Sequence, residues 1–283
     1  GGNMRGSSLD GAILRNADLS NTNLNGASLV GADLTGVTLK DTDLSNANLN
    51  EANLEGVDLA QANVTGAKLS RPTSEFPSDI QRILKEHFEW IESGGRTGAR
   101  ADLTDSDIER IDLPGEDLSG AVLKCTSMSG ANLMSCRFVM SELEEAKLVG
   151  ANLSDALLEG ANLQNADLRS ANMLGARLVA VDLKDASGKP TGLLWPTNLS
   201  GANLAGANLE GADLSNARLT DADLRGAKLK NANLSNALLA GAFIADADMT
   251  GANLEGVKLE DAILEAVALD ESLDDDKLLA VAS

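Results

Sequence analysis

The sequence predicts an all-β solenoid of stacked five-residue units, with one inserted α-helix and a short C-terminal helix. Three observations predict it. A leucine-like residue recurs every five positions from Met4 to Leu69, through Leu9, Leu14, Leu19 and Leu24. Two positions earlier stands a small residue, as at Ala12, Ala17, Ala27 and Ala32, with Thr22, Val37, Thr42 and Val57 as variants. Between these inward positions lies mostly Asp or Asn, as in Ala17-Asp18-Leu19 and Ala52-Asn53-Leu54. A period of five matches neither the 3.6 of a helix nor the 2.0 of a long strand. Each unit is therefore a short extended piece ending in a corner, which Asn, Asp and Gly suit because they tolerate turn conformations and bond their own backbone. No isolated unit buries its leucine, whereas stacked coils do, with backbone bonds joining coils about 4.8 Å apart.

The composition agrees. Of 283 residues, 43% are hydrophobic but only 2% aromatic. Four Phe and two Trp cannot fill a conventional core, so the interior is aliphatic and thin. A net charge of −20 argues against a nucleic-acid groove, which needs Lys and Arg to displace counterions from phosphates, and against adhesion to anionic membranes. A partner attracted at long range is expected to be basic. No apolar run of 18 residues and no charged-apolar-small leader is present, so neither a spanning helix nor a secretory signal is expected. Cys125 and Cys136 fit neither a disulfide framework nor a zinc site, which points to a reducing, cytoplasmic compartment.

Tandem units of alanine, Asp or Asn, leucine and two polar residues resemble the pentapeptide-repeat family. The resemblance covers Gly2 to Ser70, Ala101 to Asp185 and roughly Gly192 to Glu271. It implies a right-handed quadrilateral β-helix with four repeats, about twenty residues, per coil. About twelve coils at about 4.8 Å each would make a rod of 55 to 60 Å if all stacked in one column; the alternative is two separate rods. The expected organisation is a repeat block over 1–70, a helical insert over 71–100, a second block over 101–185, a bulged loop over 186–193, a third block over 194–271, and a cap or tail over 272–283.

The insert departs from the repeat. Ile80, Ile83, Leu84, His87, Phe88 and Ile91 follow helical spacing, Ser78 and Gln81 read as a capping box, and Gly94-Gly95 as a stop. A helix over about 79–92 is expected, lying on the flank or the open first coil of the second block, with His87 packed rather than reactive. Within the repeats, Glu116 falls in a small inward slot, so its coil is distorted or its carboxylate finds a partner. The tail Asp274-Asp275-Asp276-Lys277-Leu278-Leu279-Ala280-Val281 starts with acids and continues apolar, as a short helix prefers. The chain begins inside a repeat, with Met4 in a central slot, as an excised fragment would.

Catalysis finds little support: there is no second histidine, no GxSxG elbow and no phosphate-cradling loop, while Gly188-Lys189 lacks the rest of a P-loop and the tail lacks the pattern of a calcium loop. No cofactor and no metal is expected. Stacking residues twenty apart, with the irregular step near 190 treated as a bulge, collects Asp102, Asp105, Glu142, Glu144, Glu145, Asp182, Asp185, Asp223, Asp246 and Glu265 on one face against Lys124, Lys184 and Arg225. The outward slot is apolar at Ile13, Val122, Leu157, Leu238, Phe243 and Ile263. Leu238, Phe243 and Ile263 form a candidate contact patch, for the tail or for a homodimer through the C-terminal end. The expected function is a non-catalytic, rod-like protein-protein interaction scaffold. The resemblance supplies the alternative, since some pentapeptide-repeat proteins are acidic rods that bind DNA gyrase or topoisomerase by mimicking duplex DNA, and inhibit it or protect it from inhibitors.

Overall fold

The computed structural model describes residues 1–50, 52–185, 187–257 and 262. Its smallest unit is a corner. The Leu9 carbonyl accepts the Ala12 N–H at 3.0 Å, closing a turn around Asp10 and Gly11. The third residue of such turns has positive φ, 65° at Gly11, 56° at Asn16 and 57° at Asn21. That conformation costs most L-residues about 1–2 kcal/mol, which is why Gly, Asn and Asp dominate this slot. The middle Asp or Asn braces the corner: Asp18 Oδ1 accepts the Ser20 N–H at 2.9 Å and Asn23 Oδ1 the Asn25 N–H at 3.0 Å. Hydroxyls join in, and those of Ser20, Thr35 and Thr104 hold Asp18, Asp33 and Asp102 below the usual carboxylate range.

Coils then stack in register. The Leu14 N–H reaches the Asp33 carbonyl and the Asp33 N–H the Ala12 carbonyl, both at 2.8 Å. In the first solenoid the four sides begin at Asn3, Ser8, Ile13 and Asp18, each bridged in parallel to the residue twenty further on. The Asn3 side continues through Asn23 to Asp43, where the short strand β1 (Thr42–Asp43) pairs with β2 (Ala62–Asn63). In the second solenoid one side runs Asp102, Val122, Glu142, Asn162, Asn198, Arg218, Leu238. At about 4.8 Å per step this side is about 30 Å long. Central leucines such as Leu143, Leu163, Leu199 and Leu224, and their small partners Ala161, Ala202 and Ala222, are buried to 1% exposure or less.

The step from Asn162 to Asn198 is 36 residues. The difference from one coil is an antiparallel hairpin, β3 (Val181–Lys184) paired with β4 (Pro190–Trp195). Below it the coil closes directly onto Thr197, whose buried hydroxyl donates toward the carbonyls of Leu158 and Val179 at 2.9 Å each and accepts the Gly160 N–H at 3.0 Å. The bulged loop expected over 186–193 is thus part of a longer excursion, and Leu183 and Leu194 are hairpin residues rather than successive rungs. Every residue after Thr197 consequently sits one face further on than expected, Leu204 for example following Leu168 rather than Leu163.

Two separate cores exist, one from Leu24 to Leu69 and one from Phe76 to Val257. The repeats thus form two solenoids rather than one column of about twelve coils. The end of the first meets a corner of the second: Arg71 bridges Ile111, Arg110 Nη1 donates to the Ala52 carbonyl at 2.8 Å, and Val64 and Leu69 face Gly150 and Gly130. A Cβ on Gly150 would lie 2.2 Å from Val64 Cγ2, so a side chain there would force the solenoids apart. Burial, then the neighbouring Arg71, pulls the Arg110 guanidinium below its ordinary pKa.

The insert forms α1 (Ser78–Glu92). Its Ile80 and Leu84, with Phe76 before it, join the second core and cover the first coil of that solenoid. The capping box expected at Ser78 does not form, because Pro77 takes the N-cap position without a side-chain bond. Gln81 instead turns back, Nε2 donating to the Phe76 carbonyl at 2.7 Å and to that of Ser74 at 3.2 Å. His87 is fully buried; its Nδ1 accepts the Ala101 N–H at 3.0 Å, tying the helix to the first rung. Glu116 is exposed: on the first rung no coil precedes it and the carboxylate swings to solvent, while one rung on Cys136 fills the slot, buried, its Sγ 2.6 Å from the Leu113 carbonyl. The expected C-terminal helix and the tail over 272–283 lie outside the described residues.

Candidate interaction surface

The new register redistributes the expected acidic face. Asp102 and Glu142 share a ladder, and Asp105, Glu144 and Glu145 occupy the turns that follow it. Further along the same side stand Arg218 and Leu238. Asp223 lies on the neighbouring side, between Asn203 and Phe243, and Asp246 on a turn of that side. Asp182 and Asp185 ride on the hairpin, and Glu265 lies outside the described residues. The acids therefore cluster at one end instead of forming a continuous stripe, because the hairpin moves all later residues by one face.

Even this cluster is partly neutralised. Lys124 Nζ lies 2.8 Å from Glu142 and 3.4 Å from Glu144, and Arg100 also reaches Glu142. Lys124 first, then Arg100, holds the Glu142 carboxyl below its ordinary range. Asp223 is clamped by Arg225, Nη2 to Oδ2 at 2.6 Å, which keeps its carboxyl low. Asp185 is turned inward to the hairpin tip, accepting from the Ser187 and Lys189 N–H groups. Of the expected apolar patch, Leu238 is half-buried and Phe243 is 41% exposed on the adjacent side; Ile263 lies outside the described residues.

A different surface stands out on the side that runs Asp117, Arg137, Leu157, Arg177, Asp213, Asn233, Asn253. Leu157 is flanked on its own ladder by two arginines, Arg137 paired to Asp117 and Arg177 to Glu159, each at 3.1 Å. One bordering corner exposes Met134 and Leu174; the other exposes Met140 and carries the hairpin, where Leu193, Leu194 and Trp195 face solvent. Aromatic residues, Met and Arg are the types enriched where proteins meet. The periodic reading passed over Met134, Met140 and Leu174 because they occupy corner slots, where any exposed residue is tolerated. The one available signal was Leu193-Leu194-Trp195, an apolar run with an aromatic residue beside a broken repeat.

The chemistry elsewhere is quiet. Burial pushes the Cys136 thiol up to about 12, and the Cys125 thiol is raised by desolvation and then by Glu145 and Asp105, so both stay protonated and poorly nucleophilic near neutrality. Among the described residues no group of three or more His, Cys, Asp or Glu is placed to hold a metal ion, and no helix is long and apolar enough to cross a membrane.

Comparison with known proteins places this architecture. Residues 3–41, 39–71, 101–138, 146–185, 197–236 and 227–265 match the sequence model for pentapeptide repeats, in eight copies. Among solved structures the chain is similar to HetL of the cyanobacterium Nostoc sp. strain PCC 7120, a protein involved in heterocyst differentiation regulation. The identity is 28% over 91% of this chain and 85% of that one, with a TM-score of 0.26. It is also similar to QnrB1, a plasmid-mediated fluoroquinolone resistance protein, at 15% identity over 100% and 99% of the two chains and a TM-score of 0.36. A third is Rfr23 of the cyanobacterium Cyanothece 51142, at 24% identity over 60% and 88%, with a TM-score of 0.26. No curated protein matches the chain. The five-residue period, the rungs bridged every twenty residues and a repeat match along most of the sequence agree, and the chain belongs to the pentapeptide-repeat family.

Proposed function

We propose that this protein is a non-catalytic, cytoplasmic scaffold of two right-handed quadrilateral solenoids, the second of which presents one side to a protein partner. The observation that carries this reading is the Arg137–Leu157–Arg177 ladder bordered by exposed Met134 and Leu174. Backbone ladders fix the backbone that carries these side chains, so docking a partner there needs no ordering of a loop. A photocrosslinking residue at Leu174, in cells that make the protein, is expected to give one discrete heterologous adduct that Leu157→Asp abolishes. The same residue at Asp248, on another side, is expected to give none. Adducts at both positions alike, or at neither, contradict the reading.

The alternative, mimicry of duplex DNA toward gyrase, draws on the acidic end formed by Asp102, Asp105, Glu144 and Glu145. Against it stand Lys124 and Arg100 on Glu142 and the entry of Arg218 and Leu238 into the same ladder. A supercoiling assay decides: inhibition or protection of gyrase, lost when Glu144 and Glu145 become Lys, would favour mimicry over the Leu157 side.

A further inference from the structure

Two arginines of the second solenoid are each held at one nitrogen only. Arg137 donates to Asp117 through Nε alone, and Arg177 to Glu159 likewise, both at 3.1 Å. Arg169 and Arg225, on the neighbouring corner, each commit Nε and Nη2 to a single carboxylate, that of Asp167 and of Asp223. Among the described residues the Nη groups of Arg137 and Arg177 donate no hydrogen bond, and the two side chains are 49% and 54% exposed. A carboxylate on Nε orients a guanidinium and leaves its outer donors for a second acceptor. Along the ladder the two arginines stand two rungs apart, about 9.6 Å, with Leu157 between them.

The charges around these rungs define what fits. Asp155 and Glu159 stand at the two corners of the middle rung, so a partner acid is refused there, while Leu157 takes an apolar group. Asp117 and Asp213 end the stretch and repel an acid displaced by one rung. The complementary pattern is acid, apolar, acid over about 9.6 Å. An added strand cannot supply it. The N–H and carbonyl groups of Arg137, Leu157 and Arg177 are all bonded within the solenoid, and same-face residues of a strand lie about 6.7 or about 13 Å apart. Seven residues of an α-helix advance about 10.5 Å and return to the same face, with i+3 and i+4 between them. We infer that the partner presents an acidic amphipathic helix, its carboxylates at i and i+7 on Arg137 and Arg177 and its apolar residues at i+3 and i+4 over Leu157, on the flank toward Met134 and Leu174. This rests on the reading of the Leu157 side as a docking surface, and adds the chemistry of what docks.

Fluorescence anisotropy with the full chain tests it. The probe is a synthetic alanine-based peptide with Glu at i and i+7 and Leu at i+3 and i+4, lactam-bridged on its far face to keep it helical. A matched peptide with the second Glu at i+5, on the opposite face, is expected to bind about tenfold more weakly, as for the loss of one charge-assisted bond. Arg137→Glu and Arg177→Glu, with the solenoid shown intact by circular dichroism, should each weaken the first peptide about tenfold or more. A peptide with Lys at i and i+7 should bind the double variant and not the wild type. Equal binding of the two Glu peptides, or binding of neither, overturns the acidic helix. So does binding that neither arginine variant weakens, or a Lys peptide that fails to recognise the double variant. Photocrosslinking at Leu174 judges the docking side separately. An adduct that Leu157→Asp abolishes and the arginine variants leave intact keeps the side and discards the helix, whereas absence of an adduct discards the side itself. An adduct within one chain, or between two copies of it, overturns a separate partner.

Discussion

Leu163→Ala is expected to lower the unfolding free energy by about 3–5 kcal/mol, the upper range for deleting a buried leucine, read as a shift in the denaturant midpoint followed by circular dichroism. Leu163 is fully buried in the middle of the second solenoid, between Leu143 and Leu199. The cost falls at the top of the range because the cavity cannot collapse. The rungs above and below are fixed by backbone bonds, including Leu163 N–H to the Asn198 carbonyl at 2.7 Å. Leu9, on the first coil of the first solenoid, is only partly buried, and Leu9→Ala should cost about 1 kcal/mol, in proportion to the apolar area it buries. Equal losses at the two positions would contradict a shared aliphatic column.

Acidification supplies the second large effect. Burial holds His87 below its ordinary pKa, with the Asp117 carboxylate and carbonyl opposing and Arg100 assisting. In the folded state Nδ1 is an acceptor for Ala101, so the ring must be neutral there. A base with a depressed folded pKa contributes its full stability above the unfolded value of 6.5 and loses it as pH falls from there toward the folded value. The expected loss is about 1.4 kcal/mol per pH unit across that window, confined to the α1 cap and first coil. His87→Gln should be less stable at pH 8 than the wild type and should show a flat profile between pH 7 and 5. An equally steep profile in the variant would assign the acid sensitivity elsewhere, for example to the low-titrating Asp102 and Glu142.

Much of the fold was legible because one rule repeats. That Leu163 and Ala161 point inward, that Asn162 points outward and that a corner follows are all dictated by the five-residue period. The helix could be read from Ile80, Leu84 and His87 for the same kind of reason. The hairpin could not. Leu183 lies on the five-residue grid and Leu194 one residue off it, so a chain that leaves the coil at Val181 looks like one that bulges. What distinguishes them is the burial of Thr197 and its three bonds, a tertiary fact. The junction was hidden likewise, because Gly130 and Gly150 satisfy the corner requirement for positive φ whether or not another solenoid rests on them. The candidate surface suffered most: an error of one face dispersed the acidic stripe, and the exposed apolar side chains sat in slots where the repeat places no demand.

The register across the hairpin is the claim on which the surface map depends, and disulfide trapping measures it directly. In a Cys125→Ser background, Asn162→Cys with Asn198→Cys should cross-link on mild oxidation, because ladder neighbours lie within the 4.4–6.8 Å Cα separation that a disulfide spans. Asn162→Cys with Asp182→Cys should not. Cross-linking of the second pair and not the first would mean that the coil passes through residue 183, and would contradict the assignment of every face beyond it.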